Sequence, residues 1–404
     1  MSFDSRTQTL LLQKEFRGFR RYVLDRAFSC LDTGRLTVVT PSGERIEHKG
    51  CNPGPDAVLI VHRWRALQRL VSGGDLGFSE AYLDGDWSSP DLTALILLGA
   101  QNIIGIERAF SGKLLFRLVN RLRHYSKANS KEGSRRNISF HYDLGNDFYR
   151  LWLDPGMIYS SALFRNSRES LEDAQEAKLD RITDLLKLRG GENVLEIGCG
   201  WGALAMRLAK QGAQVTGLTL SSEQLAHAEN AVRENGLATN VDLRLQDYRD
   251  VEGNFDRIVS IEMLEAVGER YWPTYFQTLR KRLKRGGHAI LQVITIHERH
   301  IESYRRNSDF IQRYIFPGGM LPTKAIIAEQ VARADLSLVG METFGQSYAQ
   351  TLAVWRDRFL AARPTIEALG FGPHFFRLWE YYLSYCEAGF RTGLIDVGLY
   401  SLEG

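Results

Sequence analysis

No stretch of the 404 residues reaches 18 uninterrupted apolar positions. The nearest, Leu92 to Ile106, is broken by Thr93, Gln101 and Asn102, so no membrane-spanning helix is expected. Cysteine is scarce. Cys30, Cys51, Cys199 and Cys386 form neither a CxxC pair nor a framework spacing, which excludes a zinc ribbon or disulfide scaffold and fits a reducing cytosol. Excess charge is also lacking: 51 Lys and Arg against 48 Asp and Glu leave +3. That is too little to make the whole surface a polyanion binder, so any basic surface must be local. The N-terminal segment has no charged-then-apolar order and no small-residue cleavage site, which speaks against a signal peptide. There is no internal repeat or low-complexity block. What remains is ordinary globular composition, 44% apolar and 25% charged, in a chain long enough for two or three domains at roughly 150 residues each. A soluble intracellular protein is expected.

The chain changes character near residue 125. Before it, Leu36–Thr40 and Ala57–Val61 read as strands, with a turn at Pro41-Ser-Gly-Glu44. Trp64, Leu67 and Leu70 recur at spacing three, and Ile103, Ile106, Phe110, Leu114, Leu118 and Leu122 predict a long amphipathic helix. From Lys113 to Arg136 eight Lys or Arg face one acid, Glu132. This run is either a solvated helix face with a linker or a patch for anionic phosphates. The resulting organisation is a small α+β domain over 1–125, a basic linker over 126–136 and a larger domain over 137–404. In the last, strands Asn193–Ile197, Ala213–Leu218, Val241–Leu245, Phe255–Ile261 and His288–Val293 alternate with helices, among them Ser222–Asn235. Such alternation predicts an α/β fold with a mostly parallel sheet and ligands at the carboxyl ends of its strands.

The first strand runs into Glu196-Ile-Gly198-Cys-Gly200-Trp-Gly202. A dinucleotide site wants GxGxxG and an acid at the end of the second strand, where this chain has Leu218 and Thr219. Here the spacing is GxGxG with the acid inside the motif. That arrangement is similar to the S-adenosylmethionine (SAM) site of class I methyltransferases, and favours SAM over NAD.

Several further segments together resemble the cyclopropane-fatty-acyl-phospholipid synthase family, which includes the mycolic acid cyclopropane synthases. They are Phe140-His-Tyr-Asp-Leu-Gly-Asn-Asp-Phe148, Tyr159-Ser-Ser-Ala162, Val194–Gly202, Leu218-Thr-Leu-Ser-Ser-Glu-Gln224 and Gln246-Asp-Tyr-Arg-Asp250. Ser260-Ile-Glu-Met-Leu-Glu-Ala-Val-Gly268, Tyr314-Ile-Phe-Pro-Gly-Gly319 and Phe344-Gly-x-x-Tyr348 complete the set, and Glu80–Trp87 extends it into the first domain. The resemblance implies transfer of a one-carbon unit from SAM to a cis double bond in an acyl chain of a membrane phospholipid. The double bond attacks the sulfonium methyl, a base removes a proton from the new methyl group, and a cyclopropane closes. It places SAM against Tyr159, Ser160, Gly198, Gly200, Thr219, Leu220, Gln224, Gln246, Tyr248 and Ile261. A bicarbonate ion, the family's base, falls on Ser161, Glu265, Gln292, Ile294 and Tyr348. It also implies a homodimer, and a cytoplasmic protein peripheral to an anionic membrane face.

Two of the bicarbonate positions depart from the best-known members, with Ser161 in place of Cys and Gln292 in place of His, and Ala266 also replaces a His. A Gln donates a hydrogen bond but carries no charge, so these departures bear on the base and on the product. A methyl-branched chain is the alternative to the ring. Tyr142, Tyr159, Tyr348, Phe316 and Trp355 are candidates for an aromatic wall beside the cation, and His141 for a base or a structural histidine. An RNA or small-molecule methyltransferase and a non-catalytic lipid carrier are the rival functions. The absence of a nucleic-acid module opposes the first, and Glu265 with Tyr348 opposes the second.

Overall fold

A computed structural model describes residues 31–103 and 144–404, with Phe28 and Gly105. The expected helix beyond residue 105, the whole basic run from Lys113 to Arg136 with the 126–136 linker, His141 and Tyr142 lie outside the described residues. The chain divides into two units, residues 1–120 with 373–388, and residues 121–372 with 389–404.

In the first unit, strands β1 (Thr33–Val39), β2 (Arg45–Lys49), β3 (Asn52–Val61) and β4 (Trp87–Ser88) form a sheet in the order β2-β1-β3-β4. Leu36 and Val38 alternate inward on β1. The turn after it closes with Gly43 N–H donating to the Thr40 carbonyl at 2.8 Å and returns the chain as an antiparallel β2. Helix Leu92–Gln101 packs on β3 and β1. Its N-terminus is capped by Asp91, which accepts from Ala94 N–H at 2.8 Å. Trp87 stacks on Phe78 with ring centroids 4.3 Å apart and donates from Nε1 to the Phe78 carbonyl. Residues 373–388, from helix Pro373–Arg391, pack in this unit although they come near the end of the chain. Tyr82 donates its hydroxyl to Glu380 at 2.7 Å.

The second unit holds a seven-stranded sheet of β5 (Asn193–Ile197), β6 (Gln214–Thr219), β7 (Val241–Leu245), β8 (Phe255–Ile261), β9 (Leu283–Ile296), β10 (Ser337–Thr343) and β11 (Ile395–Glu403). Their order is β10-β11-β9-β8-β5-β6-β7. Strands β5 to β9 are mutually parallel, and β11 runs antiparallel to both β9 and β10. Val194, Leu195 and Ile197 on β5, and Ile258 and Val259 on β8, are almost wholly buried. Helices cover both faces, so central strands are apolar on both sides. The sheet is that of class I SAM methyltransferases. Its strand order reverses between β5 and β8, which places the ligand crevice at their carboxyl ends. No helix among the described residues is long and apolar enough to cross a membrane.

Candidate active site

The glycine turn sits at the carboxyl end of β5. Gly198 and Cys199 donate their N–H groups to the Leu218 carbonyl at 2.9 and 2.8 Å, which ties the turn to β6. Gly200 holds a φ of +52°, and a Cβ built on it would meet no atom within 4 Å. The turn is therefore an open cradle whose backbone a ligand can approach. Below it Glu196 is buried, and its Oε2 has no hydrogen-bond partner. Burial pushes its carboxyl up to about 8, against the pull of the Lys178 charge. An open backbone cradle above a buried polar atom left unsatisfied suits a ligand that the backbone can approach closely, as SAM would be.

The other positions assigned to SAM come from the carboxyl ends of the adjoining strands. Thr219, the last residue of β6, donates from Oγ1 to Gln224 Oε1 at 3.0 Å and accepts from Ser221 N–H at 3.1 Å; Leu220 lies between. Gln246, just after β7, donates its N–H to the Thr219 carbonyl at 3.1 Å and its amide to the Asp250 carbonyl at 2.9 Å. Tyr248 is buried with its hydroxyl unpartnered, and Ile261 ends β8. Tyr159 lies in a ring cluster, with centroids 5.5 Å from Tyr149 and 5.4 Å from both Trp152 and Trp355. Trp152 and Trp355 are fully buried and serve as its packing wall.

Ser160 brings in a residue that the motifs leave unmarked. Its Oγ accepts from Lys178 Nζ at 2.8 Å, and its carbonyl accepts from Gln175 Nε2 at 3.0 Å. Lys178 is 1% exposed. It projects from the apolar stripe of helix Leu171–Leu186, four residues from both Ala174 and Ile182. A lysine at such a position is the sequence signal that could have revealed it. Burial draws its ammonium down to about 8, while Glu262, Asp154 and Glu196 hold it up.

The second cluster gathers on Glu262, directly after β8. Ser161 N–H donates to its Oε1 at 2.9 Å, Gln292 Nε2 donates to the same oxygen at 2.7 Å, and the Tyr348 hydroxyl donates to Oε2 at 2.7 Å. Glu262 itself holds φ +50°, a left-handed conformation that costs an L residue about 1–2 kcal/mol. Three residues on, Glu265 accepts from the Ile294 N–H on β9, and its Oε2 is buried without a partner. Its carbonyl accepts from Met320 N–H at 2.8 Å, which fixes the segment after Gly319 against it. Burial and then the neighbouring Glu262 push Glu265 up to about 8. Glu262 is also raised by burial, but Ser161, Tyr348, Gln292 and Lys178 all favour its ionised form.

The structure thus brings Ser161, Gln292 and Tyr348 together on Glu262, and places the Ile294 N–H on Glu265. The residues do not fit a bound bicarbonate. The Ser161 and Ile294 N–H groups, the Gln292 amide and the Tyr348 hydroxyl are all given to carboxylates of the chain itself. A further anion would stand beside two acidic groups with none of these donors left for it.

Comparison with known proteins places this geometry. The family described as "Mycolic acid cyclopropane synthetase" matches residues 129–399. The chain belongs to it. The chain is 39% identical over 360 residues to the tuberculostearic acid methyltransferase of Mycobacterium tuberculosis, covering 85% of this chain and 82% of that one. It is 37% identical over 340 residues to the cyclopropane-fatty-acyl-phospholipid synthase of Escherichia coli, covering 81% and 82%. The solved structure of mycolic acid cyclopropane synthase CmaA1 complexed with SAH and CTAB superimposes with a TM-score of 0.63 at 31% identity, over 67% of this chain and 98% of that one. This member of the family is therefore a SAM-dependent enzyme of the methyltransferase and cyclopropane synthase type.

Proposed function

We propose that the enzyme adds a one-carbon unit to a cis double bond within an acyl chain of a membrane phospholipid and closes a cyclopropane. The observation that carries this is the joining, in one unit, of a SAM-type glycine turn to a buried carboxylate pair at the ends of β5 and β8. Bound SAM supplies an electrophilic sulfonium methyl. Gly198, Gly200, Thr219, Gln224, Gln246 and Tyr248 would hold it. The Tyr159 ring offers an electron-rich face to a cation at the reaction centre. The phospholipid substrate is supported by the name of the Escherichia coli relative. Access to an anionic bilayer from the cytoplasm is supported by the eight basic residues from Lys113 to Arg136; the N-terminal unit is the membrane-associating part.

A methyl-branched product is the second reading. The tuberculostearic acid methyltransferase is as similar as the cyclopropane synthase, and a proton lost from a neighbouring chain carbon would leave a branch without a ring. The test is incubation with SAM carrying an isotopically labelled methyl and vesicles of monounsaturated anionic phospholipid, followed by mass spectrometry and NMR of the recovered acyl chains. A gain of one methylene with ring-proton signals is the expected result. The same mass gain with olefinic or branched-methyl signals selects the second reading, and no gain on any unsaturated phospholipid would refute both.

A further inference from the structure

We infer that Glu262 is the enzyme's own proton acceptor, a carboxylate built into the chain where the resemblance calls for a free bicarbonate ion. This rests on the reading that a methyl is transferred to an alkene, and it holds for either product. Three observations carry it. First, Ser161 N–H, Gln292 Nε2 and the Tyr348 hydroxyl all converge on the two oxygens of one carboxylate. Each of these donors favours the anion over the acid. Second, the two neighbouring carboxyls are treated unequally. Among the described residues Glu265 accepts from the Ile294 N–H, has its own backbone N–H as a further favourable donor, and keeps a buried, unpartnered Oε2, so the proton that a close pair must share resides there and the charge resides on Glu262. Third, the groups that face Glu262 balance its charge. Lys178 acts on it as a cation, Tyr348 and Gln292 are neutral donors, and Glu265 is protonated. An added bicarbonate would leave an uncompensated buried anion.

The step balances without an external base. The alkene electron pair would form the bond to the sulfonium methyl as the methyl–sulfur bond breaks, its electron pair staying on sulfur so that S-adenosylhomocysteine leaves as a neutral thioether, and the adjacent chain carbon becomes cationic. Glu262 takes a proton from the new methyl, the C–H electron pair closes the third side of the ring, and Glu262 becomes a carboxylic acid. Loss of the proton from a chain carbon instead forms a double bond beside the new branch, again with Glu262 as acceptor. The proton then passes to water as product leaves. The left-handed backbone at Glu262 turns the chain sharply at the end of β8, where its side chain meets donors from three separate segments.

The experiment uses the full-length enzyme with unsaturated phospholipid vesicles and SAM, in buffer freed of carbon dioxide and in the same buffer with added bicarbonate. The wild-type enzyme should turn over equally in both. Glu262→Gln should lose at least a hundredfold in turnover while binding SAM with unchanged affinity by calorimetry. Glu262→Gly, which relieves the left-handed backbone and vacates the three donors, should regain activity when bicarbonate or formate is supplied. A wild-type enzyme that stops without bicarbonate and restarts on its addition would overturn the proposal, and so would full activity in Glu262→Gln. Failure of the lipid reading is distinct, because the wild-type enzyme would then yield no modified lipid in either buffer.

Discussion

Glu262 and Gln292 are joined twice. The Glu262 N–H donates to the Gln292 carbonyl at 2.8 Å, and the Gln292 amide donates back to Glu262 Oε1 at 2.7 Å. The pairing of Ile261 with Gln292 across β8 and β9 sets up both bonds, so the sheet register itself aims the amide at the carboxylate.

Replacing Gln292 by Leu removes one donor from the ionised form of Glu262. A hydrogen bond to a charged group contributes about 1.5–3 kcal/mol, equivalent to roughly one to two pKa units. The acidic limb of the turnover–pH profile should move up by that amount, with the SAM affinity unchanged. A limb that stays in place would show that the amide does not support the anion.

Gly200→Val sets a branched side chain at φ +52° in the open cradle. SAM affinity should fall about tenfold or more, a loss near 1.4 kcal/mol or greater. Gly236→Val is the control, because Gly236 also has positive φ (+70°) and open space around it but lies outside the SAM positions. Calorimetry should find weak binding only in the Gly200 variant; equal binding in both would remove the turn from the cofactor site.

Glu196 and Glu265 lie at about 8 in the folded protein, against an ordinary value of 4.5. Between these values the folded state binds more protons than the unfolded one, so stability falls as pH rises. The melting temperature of the ligand-free enzyme should decline from pH 5 to pH 8. Glu196→Gln and Glu265→Gln should each flatten that slope in differential scanning fluorimetry. A slope unchanged in both variants would contradict the burial argument.

Much of the catalytic unit was legible in the sequence because its signals are local. Asn193–Ile197 is an apolar run ending in glycines, and the strand occupies those same residues. Phe255–Ile261 likewise forms as expected. Strand β10 was not legible. It is exposed along nearly its whole length, including Leu338, Val339 and Met341, so no burial period marks it. Within the site, motif position drew attention to Tyr348 and Gln292 but grouped them with Glu265 around a bicarbonate ion and left Glu262 unmarked. Spacing alone cannot tell which of two carboxylates three residues apart a distant hydroxyl will meet. The left-handed turn at Glu262 decides that, and nothing in the residue type announces it. Lys178 was missed because a lysine in a helix is ordinarily solvated.

Helix Pro373–Arg391 gives the chain an interlaced inheritance. Residues 373–388 belong with the N-terminal unit, yet the chain then returns to supply β11, an inner strand of the other unit's sheet. Tyr381, Tyr382, Leu383 and Ala388 are buried, and a fragment starting at residue 137 would carry this helix without the partners it was shaped for. The N-terminal region is thus no detachable cassette: cutting the gene between the two regions divides one core, and exchange with a relative would have to carry both ends of the chain together.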